Sequence, residues 1–229
     1  MITVIACTMR PAYIDNVFDN YDRQLWKDKQ MIIVLNNDKM DIEQYQLRAA
    51  QYPENEVRVF QLPQRYRLGK CMNFAIAQAA NGIIAKFDDD DYYGPKYLRE
   101  AGRAIKRGRA AIVGKHTSYI YFTSKRTLMI FRRGKEWKYQ RSIKGGTLVF
   151  RRSVWNRVKF SEFRRAGSDS SWVGRCVRRG YRVLSLSKRH YVCIRRKNSS
   201  SHTQRKSTRL YMSHCKFVRR TNNFKRYVK

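Results

Sequence analysis

Residues 85–98 read AKFDDDDYYGPKYL, an apolar run that ends in four consecutive aspartates, Asp88, Asp89, Asp90 and Asp91. A short apolar run of this kind is expected to be a core strand, and in an open α/β sheet the carboxyl ends of such strands open onto the ligand crevice. Side chains alternate along extended chain, so Asp88 and Asp90 are expected to point to one side together. Neighbouring carboxylates repel unless a proton or cation compensates them, and a hard divalent ion shared with the phosphates of a substrate would do so. Magnesium or manganese suits oxygen ligands of this type. Two other readings stand beside this one: a solvated cap before the helix expected at Pro95, or acids paired with arginines elsewhere.

Outward from this segment, the first half alternates strand and helix patterns. Strands are expected at 2–7, 31–35, 57–61 and 83–87, and helices at 13–21, 42–51, 68–80 and 95–106. Within 68–80, Met72, Ala75, Ile76 and Ala79 recur at helical spacing and are expected to face a sheet, with Asn81 and Gly82 closing the helix. Beyond Lys106 the pattern loosens. A strand at 110–113, a hairpin pairing 118–122 with 128–131, a strand at 147–150 after Gly145 and Gly146, a helix at 170–179 and a return strand at 181–186 are expected. The fold class is therefore α/β, with a Rossmann-like, mostly parallel central sheet flanked by helices. The chain lacks a GxGxxG fingerprint, a P-loop and an EF-hand spacing, which argues against dehydrogenase and nucleotide-triphosphatase readings.

The 229 residues suffice for one substantial domain. Lysine and arginine total 50 against 17 acidic residues, a formal charge of +33, and 43 of those 50 follow residue 60. Paired cations recur, among them Arg132 with Arg133, Arg151 with Arg152, Arg164 with Arg165 and Arg178 with Arg179. The last 42 residues carry 14 basic side chains and no acid, with Tyr191, Tyr211, Phe217, Phe224 and Tyr227 interleaved. Such a distribution suits a polyanionic partner. DNA is favoured, a peripheral acidic membrane surface is the second candidate, and a merely solvated tail is the third reading. No apolar run reaches the roughly 20 residues that span a bilayer. Met1 is followed at once by the strand-like ITVIAC, so no signal peptide and a cytoplasmic location are expected. Five cysteines without CxxC spacing suggest reduced thiols rather than zinc or a disulfide framework.

Taken in order, these segments resemble the inverting glycosyltransferases of family 2, which have a GT-A fold. VIACTMRP (4–11) resembles the opening strand and donor loop, which implies donor-binding roles for Thr8 and Arg10. MIIVLNNDKMD (31–41) resembles the second strand, with Asn36 and Asn37 where the family has paired aspartates, and an amide there can bond a nucleobase edge. LGKCMNFAIAQAANG (68–82) resembles the stretch before the metal strand, with Gly69, Asn73 and Gly82 in matching places and Lys70 facing the diphosphate. KFDDDD resembles the aspartate-any-aspartate motif, implying Asp88 at the ribose or metal and Asp90 as direct ligand.

AGSDSSWVGRCVRRGYRV (166–183) resembles the late acidic pair, helix and glycine. Asp169 matches the general base, and Ser168 replaces the usual neighbouring glutamate; the alternative is that either simply caps the helix. SSSHTQ (199–204) resembles a region in which His202 would be a third metal ligand, while Arg195, Arg196 and Lys197, with Arg178 and Arg179, are candidates for phosphate or acceptor binding. The resemblance implies a nucleoside-diphosphate sugar donor, expected to be UDP-linked, and a Mn2+ or Mg2+ cofactor. It also implies a transferase domain over 1–190, with a basic segment, 191–229, completing the site and acceptor surface.

Overall fold

The computed structural model describes residues 1–80, 82–197 and 207–229. The alternating first half folds as β1 (Ile2–Thr8), α1 (Ile14–Asp22), β2 (Lys29–Leu35), α2 (Ile42–Ala49), β3 (Val57–Gln61), α3 (Leu68–Gln78) and β4 (Ile83–Phe87). β1 pairs in parallel with both β2 and β4, and β2 with β3. The apolar residues of β1 and β4 face both ways. Ile2, Val4, Ala85 and Phe87 join one core beneath α1, α2 and the later α4 (Tyr97–Lys106), whereas Ile5 and Ile84 join a second core beneath α3. Strands buried on both faces are what crossover helices require.

The second half adds β5 (Tyr92–Tyr93), β6 (Ile112–Gly114), β7 (Ser118–Phe122), β8 (Thr127–Phe131), β9 (Val149–Arg151), α5 (Arg152–Arg157), α6 (Ser168–Arg178), β10 (Val183–Ser185), β11 (Tyr191–Arg195), α7 (Thr208–Ser213) and β12 (Cys215–Arg220). The larger sheet runs β10-β6-β9-β4-β1-β2-β3, parallel except where β9 lies antiparallel to β4 and β6. A five-stranded sheet, β12-β8-β7-β11-β5, is an addition that alternation alone did not reveal. The 118–131 hairpin forms as expected, turning through Arg126 at φ 47°. β11 and β12 place much of the basic end of the chain inside this second sheet, and buried Val228 accepts a 2.7 Å hydrogen bond from the His190 amide. Among the described residues no helix is long and apolar enough to cross a membrane.

Two polar devices hold the helices in place. The Asn73 amide on α3 donates to the Phe160 carbonyl (3.0 Å) and to Glu162 (2.9 Å), while its oxygen accepts from the Trp155 indole and the Phe160 amide (2.9 Å each). This fully used side chain ties α3 to the loop that leads to α6. Gly69 serves the same junction, because a Cβ there would collide with the Ser161 carbonyl.

The second device is an ion pair at the base of α4. Lys115 is fully buried; its ammonium lies 2.8 Å from Glu100 and donates to the Ser187 carbonyl at 2.6 Å. Burial pulls the Lys115 pKa down and Glu100 works against that shift. Removing one partner of a buried pair leaves an uncompensated charge, which costs about 3 kcal/mol. Glu100→Ala is therefore expected to lower the melting temperature by about 6–12 °C, at roughly 2–4 °C per kcal/mol for a chain of this size. Adding Lys115→Met should recover most of the loss in a thermal melt. An unchanged melting temperature in the single variant would remove the pair from the stability account.

Candidate active site

β1 and β4 are parallel neighbours, so the chain leaves both at the same edge of the sheet. There the strand geometry of β4 stops at Phe87, and Asp88–Asp91 wrap into a turn. The expected alternation consequently does not govern the aspartates, and each takes different partners.

Asp89 is buried: it accepts from the Thr8 hydroxyl at 2.5 Å and from the Arg10 Nε at 3.0 Å. Asp90 lies between two guanidinium groups, Arg10 at 3.0 Å and Arg196 at 2.7 Å. Burial alone would raise the Asp90 carboxyl, but the two arginines outweigh it and hold the pKa below the usual range. At Asp89 burial wins over Arg10 and the pKa is raised. Asp91 points inward, accepting from the Tyr191 hydroxyl (2.5 Å) and the Ile194 amide (2.9 Å), and burial with Asp90 and Asp88 nearby pushes its pKa up to about 7.

The turn is clamped from α1. Asn16 donates to the carbonyls of Asp89 (2.7 Å) and Asp91 (3.0 Å). Asn20 donates to the Asp91 carbonyl (2.9 Å) and accepts from the Tyr93 amide (3.0 Å). From the other side the Tyr93 hydroxyl accepts from the Asp88 amide (2.7 Å) and donates to the Gly146 carbonyl (2.5 Å).

Asp88 faces a different neighbour. Lys86 follows Ile84 on the α3 face of β4 and is only 3% exposed, with its ammonium in contact with Asp88 and 3.2 Å from Asp169. Burial would lower the Lys86 pKa, but Asp169 and Asp88 outweigh it and the amine stays protonated. Gly145 and Gly146 pass directly beneath these acids: a Cβ on the first would strike Asp169, and on the second Asp88. Only glycine lets the backbone come so close.

Asp169 arrives from the first turn of α6. The capping alternative fails here, because the N-cap is Gly167 at φ 67°, with no side-chain cap. Asp169 is instead turned into the site. Burial lifts its pKa above the usual carboxylate range, with Lys86 pulling down and Asp88 pushing up, and its Oδ1 is buried with no hydrogen-bond partner among the described residues. A desolvated carboxylate with one oxygen unengaged is a competent proton acceptor.

Thus the structure brings Thr8, Arg10, Asp88, Asp90, Asp169 and Arg196 to one place, with Lys86 as a central cation that motif comparison did not single out. The other candidates fare differently. Asn36 donates to the Pro63 carbonyl (2.8 Å) and Asn37 to the Met9 carbonyl (3.0 Å), so both amide nitrogens shape the crevice loops. Lys70 places its ammonium 4.0 Å from the Tyr66 ring centroid. Arg195 is buried in β11 over Tyr211, while Lys197 is exposed. Arg178 and Arg179 occupy the far end of α6, roughly 14 Å along the helix from Asp169. His202 lies outside the described residues.

Among the described residues, no three His, Cys, Asp or Glu side chains converge as a closed ion cage. An open site fits instead. The Asp88 side chain is 35% exposed, and Mg2+ or Mn2+ is commonly held by one or two carboxylates with substrate phosphates and water completing the shell.

Comparison with known proteins gives the family and the fold. The family profile described as Glycosyl transferase family 2 matches residues 3–160. No curated protein sequence matches the chain. Among solved structures, Staphylococcus aureus TarS 1–349 superposes with a TM-score of 0.65 at 16% identity, covering 84% of this chain and 60% of that one. Its complex with UDP-GlcNAc gives 0.66 at 18% identity, over 86% and 59%. The mannosyltransferase PcManGT of Pyrobaculum calidifontis, in complex with GDP-Man and Mn2+, gives 0.65 at 16% identity over 93% and 59%. The chain therefore spans about 60% of the length of these neighbours, which share its fold.

Proposed function

The chain belongs to glycosyl transferase family 2, and from that premise we propose that it moves a sugar from a nucleoside diphosphate to an acceptor hydroxyl with inversion at the anomeric carbon. The observation that carries this reading is the buried oxygen of Asp169, unpartnered among the described residues, beside Lys86 and Asp88. Asp169 takes the proton of the acceptor hydroxyl as its oxygen forms the new bond to the anomeric carbon. The bond from that carbon to the diphosphate breaks on the opposite face. Thr8 and Arg10 line the donor side with Asn36, Asn37 and Lys70, and a UDP-linked sugar is favoured. The neighbours' UDP-GlcNAc and GDP-Man support a nucleotide-sugar donor in general.

Asp88 and Asp90 would hold Mn2+ or Mg2+, with His202 as the further ligand suggested by the sequence. When bound, such an ion would supply positive charge to the departing diphosphate. Arg10 and Arg196 now cover Asp90, and both guanidinium groups suit phosphate oxygens as well as carboxylates. Donor binding therefore exchanges the arginine pairing of Asp90 for pairing with the diphosphate.

The acceptor on this reading is a polyanion in the cytoplasm, with a hydroxylated modified base in DNA favoured by the +33 charge. A base in a duplex would have to leave the stack to reach Asp169. The deciding experiment incubates the protein with manganese, a panel of nucleotide sugars, and modified DNA, RNA, acidic lipid and envelope-polymer acceptors, following product mass. Sugar in modified DNA alone, and none in the presence of chelator, is the expected outcome. Transfer only to lipid or envelope polymer would overturn the acceptor, and full transfer in chelator would overturn the ion.

A further inference from the structure

Away from the carboxylates, the outer face of α4 borders a groove of about 430 Å³ lined by Lys96, Arg99, Arg103, Arg107, Arg109 and Trp137. Leu98, Ala101 and Ile105 turn inward to the core, leaving Arg99, Arg103 and Arg107 as one stripe at four-residue spacing. Like charges at this spacing oppose helix formation by about 0.2–0.5 kcal/mol per pair. The helix dipole offsets this only at the C-terminal end. Lys96 is the N-cap residue and Arg99 lies in the first turn, where a cation is unfavourable. None of the five cations makes an ion pair among the described residues. Glu100, the acid of the groove wall, is occupied by Lys115. An amphipathic surface helix needs a polar outer face, but the single sign of this one and its lack of acidic partners among the described residues suit a line of phosphates.

The aromatic member decides which polyanion. Trp137 is held in a turn at φ 56°, is 48% exposed, and lies with its ring centroid 5.9 Å from the Arg109 guanidinium. The half-exposed indole beside a row of cations offers stacking to a base; a bilayer also favours interfacial Trp but presents a flat surface rather than a strand that follows a groove, and a base-free phosphate polymer has no ring to stack. From Lys96 to Arg107 the helical wall of the groove runs about 16 Å, room for a few nucleotides. One end approaches the aspartate turn, since His190 borders the groove and the adjacent Tyr191 donates to Asp91.

We infer that the α4 groove binds a single strand of nucleic acid, its phosphates along Arg99, Arg103 and Arg107 and a base on Trp137. This binding site goes beyond the proposed sugar transfer and holds whatever the acceptor is. The test is fluorescence anisotropy of the full chain with a labelled 20-nucleotide single-stranded DNA, without nucleotide sugar, across a salt series. The triple variant Arg99→Gln, Arg103→Gln, Arg107→Gln is expected to bind about tenfold or more weakly at 0.15 M salt. Its slope of log affinity against log salt should be smaller by about 2, near 0.7 for each phosphate left without its arginine. Trp137→Ala should weaken binding about tenfold with the slope unchanged. The comparison variant Lys216→Gln, Arg220→Gln, Lys229→Gln removes three cations from the end of the chain, and circular dichroism melts confirm folding of each protein. The inference is overturned if the groove triple keeps parental affinity and slope, or if the loss falls on the comparison triple alone. Displacement of the oligonucleotide by inorganic polyphosphate or phosphatidylserine vesicles as readily as by unlabelled DNA, with Trp137→Ala unaffected, also overturns it.

Discussion

Asp169→Asn is expected to retain the fold and donor binding while turnover falls about 10²–10⁴-fold, the usual worth of a positioned general base. The amide keeps the shape of the carboxyl and can still lie over Gly145, so the close packing there survives. What disappears is the acceptor for a proton. Because the interaction is made at the acceptor hydroxyl, the loss should appear in kcat with KM for the donor changed little. Donor affinity measured by calorimetry separates this from a general disturbance, since Thr8 and Arg10, the proposed donor-side groups, bond to Asp89 and make no hydrogen bond to Asp169. Normal turnover in a folded Asp169→Asn protein would remove the base from this position. Weakened donor binding with normal kcat would give Asp169 a donor role instead.

The order of elements in the first half was legible because each segment carried one clear period. The boundaries of β3 and β4 are those expected, and β1, β2, α2 and α3 differ from expectation by a few residues at their ends. The second half was harder for a physical reason. β6, β9 and β10 have three residues each, too short for alternation to show, and their pairing depends on partners far away in sequence. The five-stranded sheet joins β5, a two-residue strand, to β11 about a hundred residues later.

The carboxylates themselves were legible as a cluster, yet their division of labour was not. Reading them as extended chain put Asp88 and Asp90 on one side. The turn after Phe87 sends Asp88 to Lys86 and Asp90 to Arg10 and Arg196. Asn16 and Asn20, which impose that turn, are polar residues on a helix with nothing in its sequence to mark them as clamps. Lys86 did leave a signal: a lysine inside a strand otherwise buried on both faces has to meet an acid. The acid run two residues later supplies one partner, and only the fold supplies Asp169.

Lys86→Met should expose what that cation does. Methionine preserves most of the length and packing, so the change leaves Asp88 and Asp169 facing one another without the charge between them. Breaking a buried pair costs about 3–5 kcal/mol, but Asp88 is 35% exposed and water screens part of the repulsion, so about 2 kcal/mol is expected. That corresponds to a fall of roughly 4–8 °C in melting temperature. Catalysis should suffer more than stability. Lys86 is the group that pulls the Asp169 pKa down against its burial and the field of Asp88. Without it Asp169 holds its proton to higher pH, and a base that is already protonated cannot accept another. Activity at neutral pH should therefore fall about 10²-fold and recover partly as pH rises, with the acid limb of the rate profile displaced upward. A Lys86→Met, Asp169→Asn double variant separates the two effects: its stability should return toward the parent, because one carboxylate is gone, while its activity stays at or below the Asp169→Asn level with no recovery as pH rises. A single variant with the parental pH profile would show that Lys86 only fills space, and a double variant no more stable than the single would show that the two carboxylates do not repel across the gap.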